Sequence, residues 1–457
     1  MSSPMKKAPS FTQLVTQVLM TADHALTVAE IKAQVEKVRP VRTRNPHATI
    51  RGAINRSTRA TSLGGRPARY TWWPRHLADN ALRQPLVSSD LESGSLVLGR
   101  EAWMVFWPDF YDSSSRDRGK VTLVLADGPV LQTNIQHLVH GQPIWGLPPT
   151  PALAKWYRQQ AAAPQDDVIV RVLDVEARRY TLCLARRAER DEGAVAARNR
   201  SLADVAVEAL RAGGMHMPDS YLIPRLIARG AYRDPLPPDP WDEVLQADLR
   251  FIVDKHSIDL AEKVVDHLER EMEVSPSFDG SPRPRGNRHK LYPELAKGAR
   301  SDEARQAWGE YLFGRGLDHR RANWSWAAEA YYREALRMDP GHADAWVHLG
   351  NVHFDEGQVL QALAHYERGQ AEAEARTIGD PSRYLGAFWG DLRSRPFMRA
   401  LHGCGLCLWR LGRADEARQV FGWMLELNPS DNQGARFLLH DLDEGLSWDK
   451  SAAREEE

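Results

Sequence analysis

The chain has 457 residues, of which 42% are hydrophobic and 26% are charged, a composition typical of soluble globular proteins. This length exceeds what one hydrophobic core usually organises, so it predicts several domains. No run of 18 apolar residues offers a membrane span. The opening segment lacks the apolar core of an export signal. The three cysteines are too few for a disulfide framework. These features predict a cytoplasmic protein that does not contact a membrane.

The formal charge of −1 conceals an uneven distribution. Residues 1–76 carry 13 Lys and Arg against 3 Asp and Glu, a net of +10, whereas the remaining residues carry 47 against 58, a net of −11. A strongly basic end joined to an acidic body predicts one module for a polyanion and a body with another task.

The basic end contains three predicted helices and a hairpin. "SFTQLVTQVLMT" has helical periodicity with Ser10 as its cap, and Thr27 and Glu30 form the capping-box pattern of a second helix. In "RNPHATIRGAINR", Asn45 and Pro46 occupy the cap and the first position of a third helix. "TSLGGRPARYTWW" predicts two strands joined by a tight Gly-Gly turn. This order is the outline of a winged helix-turn-helix.

Residues 10–73 resemble the HARE-type winged helix-turn-helix in "SFTQLVTQVLMTADHALTVAEI", in "NPHATIRGAINR" and in the wing "GGRPARYTWW". Domains of this type occur beside restriction and chromatin-associated modules and in a bacterial RNA polymerase accessory subunit. The resemblance implies a role in transcription or DNA recognition, and it does not imply a target sequence.

Within that frame, Ile50 and Ile54 face the core and the third helix presents polar side chains outward. Arg51 and Asn55 are predicted to read bases, because Arg and Asn can bond bidentately to base edges in the major groove. The arginines at the helix end and in the wing suit phosphate contacts. The residues predicted to contact DNA are Arg42, Arg44, His47, Thr49, Arg51, Asn55, Arg56, Arg59, Arg66 and Arg69. The alternatives are a solvated basic face and a face that binds protein.

The middle of the chain changes pattern three times. Residues 77–94 are predicted as a polar linker, and residues 95–197 as a β-rich domain, a small barrel or sandwich, because short apolar strands alternate with turn signals. Residues 198–274 are predicted as a helical segment, and residues 275–300 as a linker rich in Pro and Gly. The predicted fold class is multi-domain α+β, with a winged helix, a barrel-like middle domain with a helical extension, and an all-α C-terminal array.

An aromatic cluster in "EAWMVFWPDFYD" admits two interpretations. Trp103, Phe106, Trp107, Phe110 and Tyr111 could stack on nucleic-acid bases, or they could fill the core of the middle domain. We favour the core, because clusters of large apolar side chains are usually buried.

Residues 301–445 contain an internal repeat of 34 residues, followed by a polar tail at 446–457. Registers starting at 309, 343 and 398 place small residues and aromatics at matching points, with an insertion of 21 residues before the third. The matching residues are Gly316, Ala328, Tyr332, Ala335 and Pro340; Trp346, Leu349, Gly350, Ala362, Tyr366 and Gly369; and Gly405, Leu408, Ala417, Phe421 and Pro429. This region resembles a tetratricopeptide-repeat array, which implies a scaffold that binds protein.

Other polar residues are better explained by packing than by chemistry. Cys404 and Cys407 have the spacing of a redox or metal pair, but they lie in a repeat helix without a second pair of ligands. His353 occupies a repeat position usually filled by a large ring. No phosphate loop, nucleophile elbow or metalloprotease motif occurs, and Pro108-Asp109 lacks the partners of a nuclease site. We therefore expect no catalytic residue, no metal site and no cofactor.

The sequence predicts a DNA-binding adaptor or transcription regulator. Its expected partners are double-stranded DNA through residues 1–76 and an unknown protein or peptide through the C-terminal repeats. The alternatives are a pure protein-interaction scaffold that docks to a transcription complex, an accessory or specificity subunit of a DNA-modification or defence system, and an enzyme within residues 95–273.

Overall fold

The computed structural model describes residues 9–451 except 58, 79, 107–119, 139–144, 176, 214–215, 234, 255–256, 275–300 and 385–387. The predicted linker at 275–300 therefore lies outside the described residues, as do Trp107, Pro108, Asp109, Phe110 and Tyr111. The chain divides into two compact units. The first comprises Met1–Asp248 and Val253–Ile258, and the second comprises Leu249–Ile252 and Asp259–Glu457.

The first unit begins with three helices and a small antiparallel sheet, which we call the N-terminal module. Its elements are α1 (Phe11–Thr21), β1 (Leu26–Thr27), α2 (Val28–Glu36), α3 (Pro46–Asn55), β2 (Ala60–Gly64) and β3 (Arg69–Trp72). The sheet order is β1-β3-β2, so the hairpin of β2 and β3 gains a third strand from the short segment before α2. The predicted helices and hairpin are present, and β1 is an addition to them.

The starts of the three helices follow from their caps. Ser10 and Gln13 exchange side-chain and backbone hydrogen bonds at 3.2 and 2.8 Å, which satisfies amides that a helix end leaves unpaired. Thr27 and Glu30 make the same reciprocal pair before α2. Asn45 accepts a bond from the Ala48 amide at 3.1 Å before α3. Each helix then buries one apolar face in a shared core, formed among others by Leu14, Val15, Ile31, Val35, Ile50 and Ile54.

The middle of the first unit contains two sheets and three helices. The elements are β4 (Ala81–Pro85), α4 (Ser88–Ser93), β5 (Leu96–Val97), α5 (Arg100–Phe106), β6 (Val121–Leu125), β7 (Val130–Thr133), β8 (Gln136–His137), β9 (Trp145–Leu147), α6 (Pro151–Gln159), β10 (Asp167–Asp174) and β11 (Arg179–Ala185). The larger sheet has the order β4-β10-β11-β6-β7, and the smaller one has the order β5-β9-β8. Pairing in the larger sheet is antiparallel except between β11 and β6.

The predicted barrel is wrong, because the larger sheet is open. Strands β4 and β7 are at its opposite edges and do not pair with each other in the described part of the chain. Alternating apolar residues specify strands with a buried face, but they carry no information about closure. Residues 77–94, expected as a linker, instead supply the buried edge strand β4 and the helix α4. The apolar run "EAWMVF", which lies in the predicted β-rich domain, is the helix α5 rather than a strand, and its Phe106 is fully buried, as predicted for the aromatic core.

The helical extension of the first unit packs against the N-terminal module. It contains α7 (Glu192–Gly213), β12 (His216–Pro218), α8 (Asp219–Ala228) and α9 (Trp241–Ala247). Helices α7 and α8 both contact β2. After α8, Arg229 donates from Nη2 to the carbonyl oxygen of Leu63 at 2.8 Å, which fixes one side of the hairpin.

Two short strands, β13 (Phe251–Asp254) and β14 (Ser257–Leu260), lie in the residues that alternate between the units. In the described residues of the second unit, the helices are α10 (Ala261–Val274), α11 (Asp302–Arg321), α12 (Ser325–Met338), α13 (Ala343–Asp355), α14 (Val359–Ala373), α15 (Arg395–Arg410), α16 (Ala414–Leu427) and α17 (Ala435–Asp443). From α11 to α16, each helix packs against the next one along the chain. In addition, α10 packs against α12, and α17 packs against α16.

In three helix pairs, a glycine of the first helix packs directly against an aromatic ring of the second helix. A methyl group on Gly316 would collide with Tyr332, one on Gly350 with Tyr366, and one on Gly405 with Phe421. These are the small and aromatic positions of the predicted repeat, and the glycines are required because the two helices approach too closely for a side chain. The region is therefore an array of helical hairpins in which the small and aromatic positions of the predicted repeat contact each other.

The insertion between the second and third hairpins is packed onto the array. Its described residues form short turns at 374–378, 381–384, 388–390 and 392–394. Phe388 is fully buried, with its ring centroid 5.3 Å from that of Phe397 at the start of α15. The Ser394 hydroxyl donates to the Phe388 carbonyl and so holds this turn. Across the described part of the chain, the helices fall short of the length and apolar character that a bilayer span requires.

Candidate binding surfaces of the N-terminal module and the repeats

The outward face of α3 is a polar stripe. Asn45 and Pro46 begin the helix, and Ile50, Ala53 and Ile54 turn inward. The helical period then places the exposed side chains of His47, Arg51 and Asn55 at intervals of four residues on the outward side, and the exposed Arg44 lies just before the helix. We call these four residues the α3 stripe.

The α3 stripe and two neighbouring arginines have no charged partner among the described residues. Arg42 precedes the stripe, and Arg66 lies at the tip of the hairpin between β2 and β3. Both are exposed, as are Arg44 and Arg51. Cations that are hydrated and uncompensated remain available to a polyanion, because no internal ion pair has to be broken first.

The remaining predicted DNA-contacting residues bind within the module. The Arg69 Nη1 donates to the Ala25 carbonyl at 2.9 Å and lies 3.8 Å from the Glu30 carboxylate. The Arg59 guanidinium lies 5.5 Å from the centroid of the Trp72 ring. The predicted DNA-contacting residues therefore fall into two groups: exposed side chains without a charged partner, and side chains that already make contacts within the module.

Two further members of the predicted set make short-range contacts near α3. The Thr49 hydroxyl donates to the Asn45 carbonyl at 3.1 Å and is 2.8 Å from the Thr43 hydroxyl, so it stabilises the first turn of the helix. The Arg56 Nε points toward the Thr12 hydroxyl of α1 at 3.5 Å. Asn55 is exposed, but it also lines a pocket with Tyr221 and other residues of α8. Arg51 does not line this pocket.

The second unit contains a groove of about 490 Å³ between the first helices of successive hairpins. Apolar side chains in its lining come from α13 and α15, as do several polar groups. The groove residues used below are Arg320, Val347, His348, Asn351, Phe354, Asp355, Tyr366, Arg399, His402, Leu406 and Gln433. Tyr366 is a repeat position predicted from the sequence, but no residue of this lining was predicted to bind a ligand, although the repeat register assigns His348, Asn351 and Arg399 to first helices.

The charges in the groove are internally compensated. Arg320 is ion-paired with Asp355, and Arg399 lies 2.6 Å from a carboxylate oxygen of Asp344. Burial lowers the pKa of His348 to about 4, so this side chain is neutral at neutral pH. Burial also lowers the pKa of His402. The groove is therefore polar but carries little net charge.

Hydrogen-bonding groups in the groove remain for a ligand. The Tyr366 hydroxyl donates to the Asn351 Oδ1 at 2.7 Å, which turns the amide NH₂ of Asn351 away from that bond. The Gln433 Oε1 is buried and accepts no hydrogen bond from the described residues. A donor and an acceptor beside the apolar side chains of Val347, Phe354 and Leu406 match the needs of a peptide backbone with apolar side chains.

The buried polar residues inside the hairpins form a structural cluster. The Arg333 Nε donates to Glu329 Oε1 at 2.8 Å, and the His353 Nδ1 lies 2.6 Å from Gln358 Oε1. His353 is 3% exposed, so its predicted place in the core is confirmed. Burial and the Arg333 charge lower the pKa of His353.

The paired cysteines are also packed side chains. Cys404 is 4% exposed and Cys407 is fully buried in α15. Burial raises the pKa of the Cys404 thiol and raises that of Cys407 to about 12. Both thiols are therefore protonated and weak as nucleophiles or ligands at neutral pH, in agreement with the packing role predicted for them.

Known proteins are similar to this chain over part of its length only. No protein-family model matches the chain. The chain is 31% identical to "Protein CTR9 homolog" of Arabidopsis thaliana over 132 residues, which are 26% of this chain and 12% of that protein. This chain therefore spans about an eighth of that relative's length. Among solved structures, "First TPR of Spaghetti (RPAP3) bound to HSP90 peptide SRMEEVD" aligns over 31% of this chain and 96% of its own, at 16% identity and a TM-score of 0.25.

Proposed function

We propose that this protein is a protein-interaction scaffold whose hairpin array binds a partner in the groove. The observation that carries the proposal is the groove itself, where apolar side chains are combined with the amide of Asn351 and the unsatisfied oxygen of Gln433. The proposal assigns no catalytic step to the chain.

The chemistry of the groove favours an extended peptide segment with apolar side chains. Backbone amide and carbonyl groups of such a segment satisfy Gln433 and Asn351, while its side chains cover Phe354 and Leu406. Because Arg320 and Arg399 already have aspartate partners, a strongly acidic ligand would have to compete with those pairs. We therefore expect binding that weakens only slightly as salt increases.

Site-specific photo-crosslinking tests this proposal. A photoreactive amino acid replaces Leu406 in the groove, and in a control chain it replaces Leu360, which is 68% exposed on α14. The proposal predicts a crosslinked partner from the groove position that purified partner reproduces and that Asn351→Ala reduces by about tenfold, the effect of losing a buried hydrogen bond. Equal crosslinking from Leu360, or no effect of Asn351→Ala with purified partner, contradicts it.

As a second function, we propose that the N-terminal module is a HARE-type winged helix that binds double-stranded DNA. The uncompensated charge of the α3 stripe and of Arg66 supports this function. Arg51 and Asn55 are the proposed base-reading side chains, and Arg42, Arg44 and Arg66 are the proposed phosphate contacts. Arg59 and Arg69 are already engaged within the module and are assigned a smaller part.

Selection from a pool of random duplexes tests the base-reading assignment. Arg51→Ala should relax the selected sequence at one position and cost about 1–3 kcal/mol of discrimination there, and Asn55→Ala should do the same at a neighbouring position. Arg66→Ala is the matched control, because a lost phosphate contact lowers affinity equally for all sequences. A selected sequence that both variants leave unchanged would exclude base reading by α3.

Together the two activities describe a tethering adaptor. When two binding sites are joined in one chain and their ligands are also joined, binding of the first ligand raises the effective concentration of the second. A partner that is itself attached to the duplex should therefore bind more tightly than the free partner, whereas free duplex and free partner should bind independently.

A further inference from the structure

A pocket of about 290 Å³ lies within the first unit, between the N-terminal module and α8. Its walls come from the end of α3, from β2 and β3, and from α8. This volume is close to the lower end of the range for small-molecule sites. The residues that determine its chemistry are Asn55, Ser62, Tyr70, Ser220, Tyr221 and Arg225.

Arg225 carries the formal charge of this pocket. The other described lining residues are apolar, hydroxyl or amide side chains, and the half-buried guanidinium has no carboxylate partner in the described part of the chain. Its Nη1 lies 3.1 Å from the Met217 sulfur, which is a weak acceptor. Such a charge is under-solvated, and an anion that enters the pocket would compensate it.

The acidic groups of the surrounding helices are used elsewhere. Asp219 at the start of α8 is ion-paired with Arg100, and Glu208 of α7 lies 3.5 Å from Arg229. Burial and the neighbouring Arg229 lower the pKa of Arg225, although a guanidinium stays protonated at neutral pH. The positive charge of Arg225 is therefore permanent and uncompensated.

Hydroxyl groups surround this charge. Ser62 accepts a bond from the Gly64 amide at 3.1 Å through its oxygen, which leaves its O–H to donate. The hydroxyls of Tyr70, Ser220 and Tyr221 make no hydrogen bond with the described residues. Several O–H donors around one guanidinium suit an anion with several acceptor oxygens, and phosphate offers more of them than a carboxylate does.

We propose that this pocket binds a phosphate group, with Arg225 as its counter-ion and the hydroxyls of Ser62, Tyr70 and Tyr221 as donors. The phosphate could belong to a free phosphorylated molecule or to the backbone of a nucleic acid. The second source is possible because Asn55 belongs both to the pocket and to the α3 stripe. The proposal is independent of the groove, whose residues lie in the second unit.

Calorimetric titration of the full chain with inorganic phosphate, against chloride at matched ionic strength, tests the proposal. Arg225→Gln should weaken phosphate binding by about tenfold or more, as expected for loss of a charge-assisted bond. Arg200→Gln, which removes an exposed arginine from α7, should leave it unchanged. Equal phosphate binding by the wild type and Arg225→Gln would overturn the proposal, and so would a wild type that binds phosphate no better than chloride.

A second variant covers the case in which Arg225→Gln does not fold. Tyr221 is 54% exposed, so Tyr221→Phe removes a hydroxyl without disturbing the core, and it should weaken phosphate binding several-fold. If Arg225→Gln is unfolded and Tyr221→Phe binds phosphate like the wild type, the proposal fails.

Two further ligands distinguish the sources of the phosphate. If Arg225→Gln weakens the binding of thymidine monophosphate but not of a 20-base-pair duplex, the pocket takes a free phosphate. If it weakens duplex binding as well, the pocket takes a backbone phosphate, and either pattern supports the site. Crosslinking at Leu406 should be unaffected in both cases, so failure of this site and failure of the groove can be told apart.

Discussion

In the α3 stripe of the first unit, Arg44 and Arg51 are exposed without a carboxylate partner among the described residues, whereas Arg320, Arg333 and Arg399 of the hairpin array are each paired with one. The two regions use the same side chain for different tasks. In the array each guanidinium is compensated by a carboxylate within its helix or on another helix, and in the α3 stripe its charge is available to a ligand. A basic segment therefore indicates a polyanion site only where its charges are uncompensated.

Removal of a paired arginine from the array should have the largest effect on stability. Arg333 is 1% exposed and bonds to Glu329, so Arg333→Leu leaves a buried carboxylate without its partner. We expect a local stability loss of about 3–5 kcal/mol, measured by hydrogen exchange in α12 and α13. Arg321→Leu is the control, because Arg321 is largely exposed and should change exchange little. Unchanged exchange in Arg333→Leu would mean that the pair does not stabilise the array.

The converse case is a buried group of the first unit that lacks a partner. Glu101 is 1% exposed, and neither of its carboxylate oxygens accepts a hydrogen bond in the described residues. Burial, with help from the Asp242 charge, raises the pKa of Glu101 from 4.5 to about 8. Between these two values the folded chain holds a proton that the unfolded chain has lost, so this group lowers stability as the pH rises from 4.5 to 8.

Glu101→Gln should remove that pH dependence. Above pH 8 the variant should exceed the wild type in stability by on the order of 3 kcal/mol, and below pH 4.5 the two should converge. Urea unfolding at pH 4, 7 and 9 measures the difference, with Glu92→Gln on the exposed side of α4 as the control. A variant that is less stable than the wild type at pH 9 would show that Glu101 is ionised and compensated.

Local features of this fold could be predicted from sequence, and features that depend on distant pairing could not. The caps at Ser10, Thr27 and Asn45 and the glycine-aromatic pairs of the repeats follow from residues a few positions or one hairpin apart. The open sheet could not be predicted, because β4 joins β10 across more than 80 residues and strand patterns do not encode that partner.

The candidate site shows the same limit. Helical period alone places His47 and Arg51 on one exposed face, as predicted. It does not reveal that Arg69 bonds to the Ala25 carbonyl or that Asn55 lies in a pocket with α8, since both depend on the packing of separate elements. The groove and the pocket of Arg225 could not be predicted from the sequence either, because both are formed by the packing of separate elements.

The smallest expected effect distinguishes two arginines of the hairpin. Arg66→Ala should reduce the salt slope of duplex binding by about 1, because an uncompensated phosphate contact is lost. Arg69→Ala should change it by less than half as much, since this guanidinium already bonds to Ala25 and lies near Glu30. Gel-shift titrations between 50 and 200 mM salt, which are about the range where such slopes are steep, measure both. A larger effect from Arg69 would reverse the assignment.

The difference between uncompensated and compensated arginines is tested most directly by duplex affinity as a function of salt for the wild type, Arg51→Ala and Arg399→Ala. The wild-type binding constant should fall linearly on logarithmic axes. Arg51→Ala should lower the affinity, whereas Arg399→Ala, which removes an arginine paired with Asp344, should leave affinity and slope unchanged. A wild-type affinity that does not depend on salt, or an equal loss in the two variants, would contradict this account.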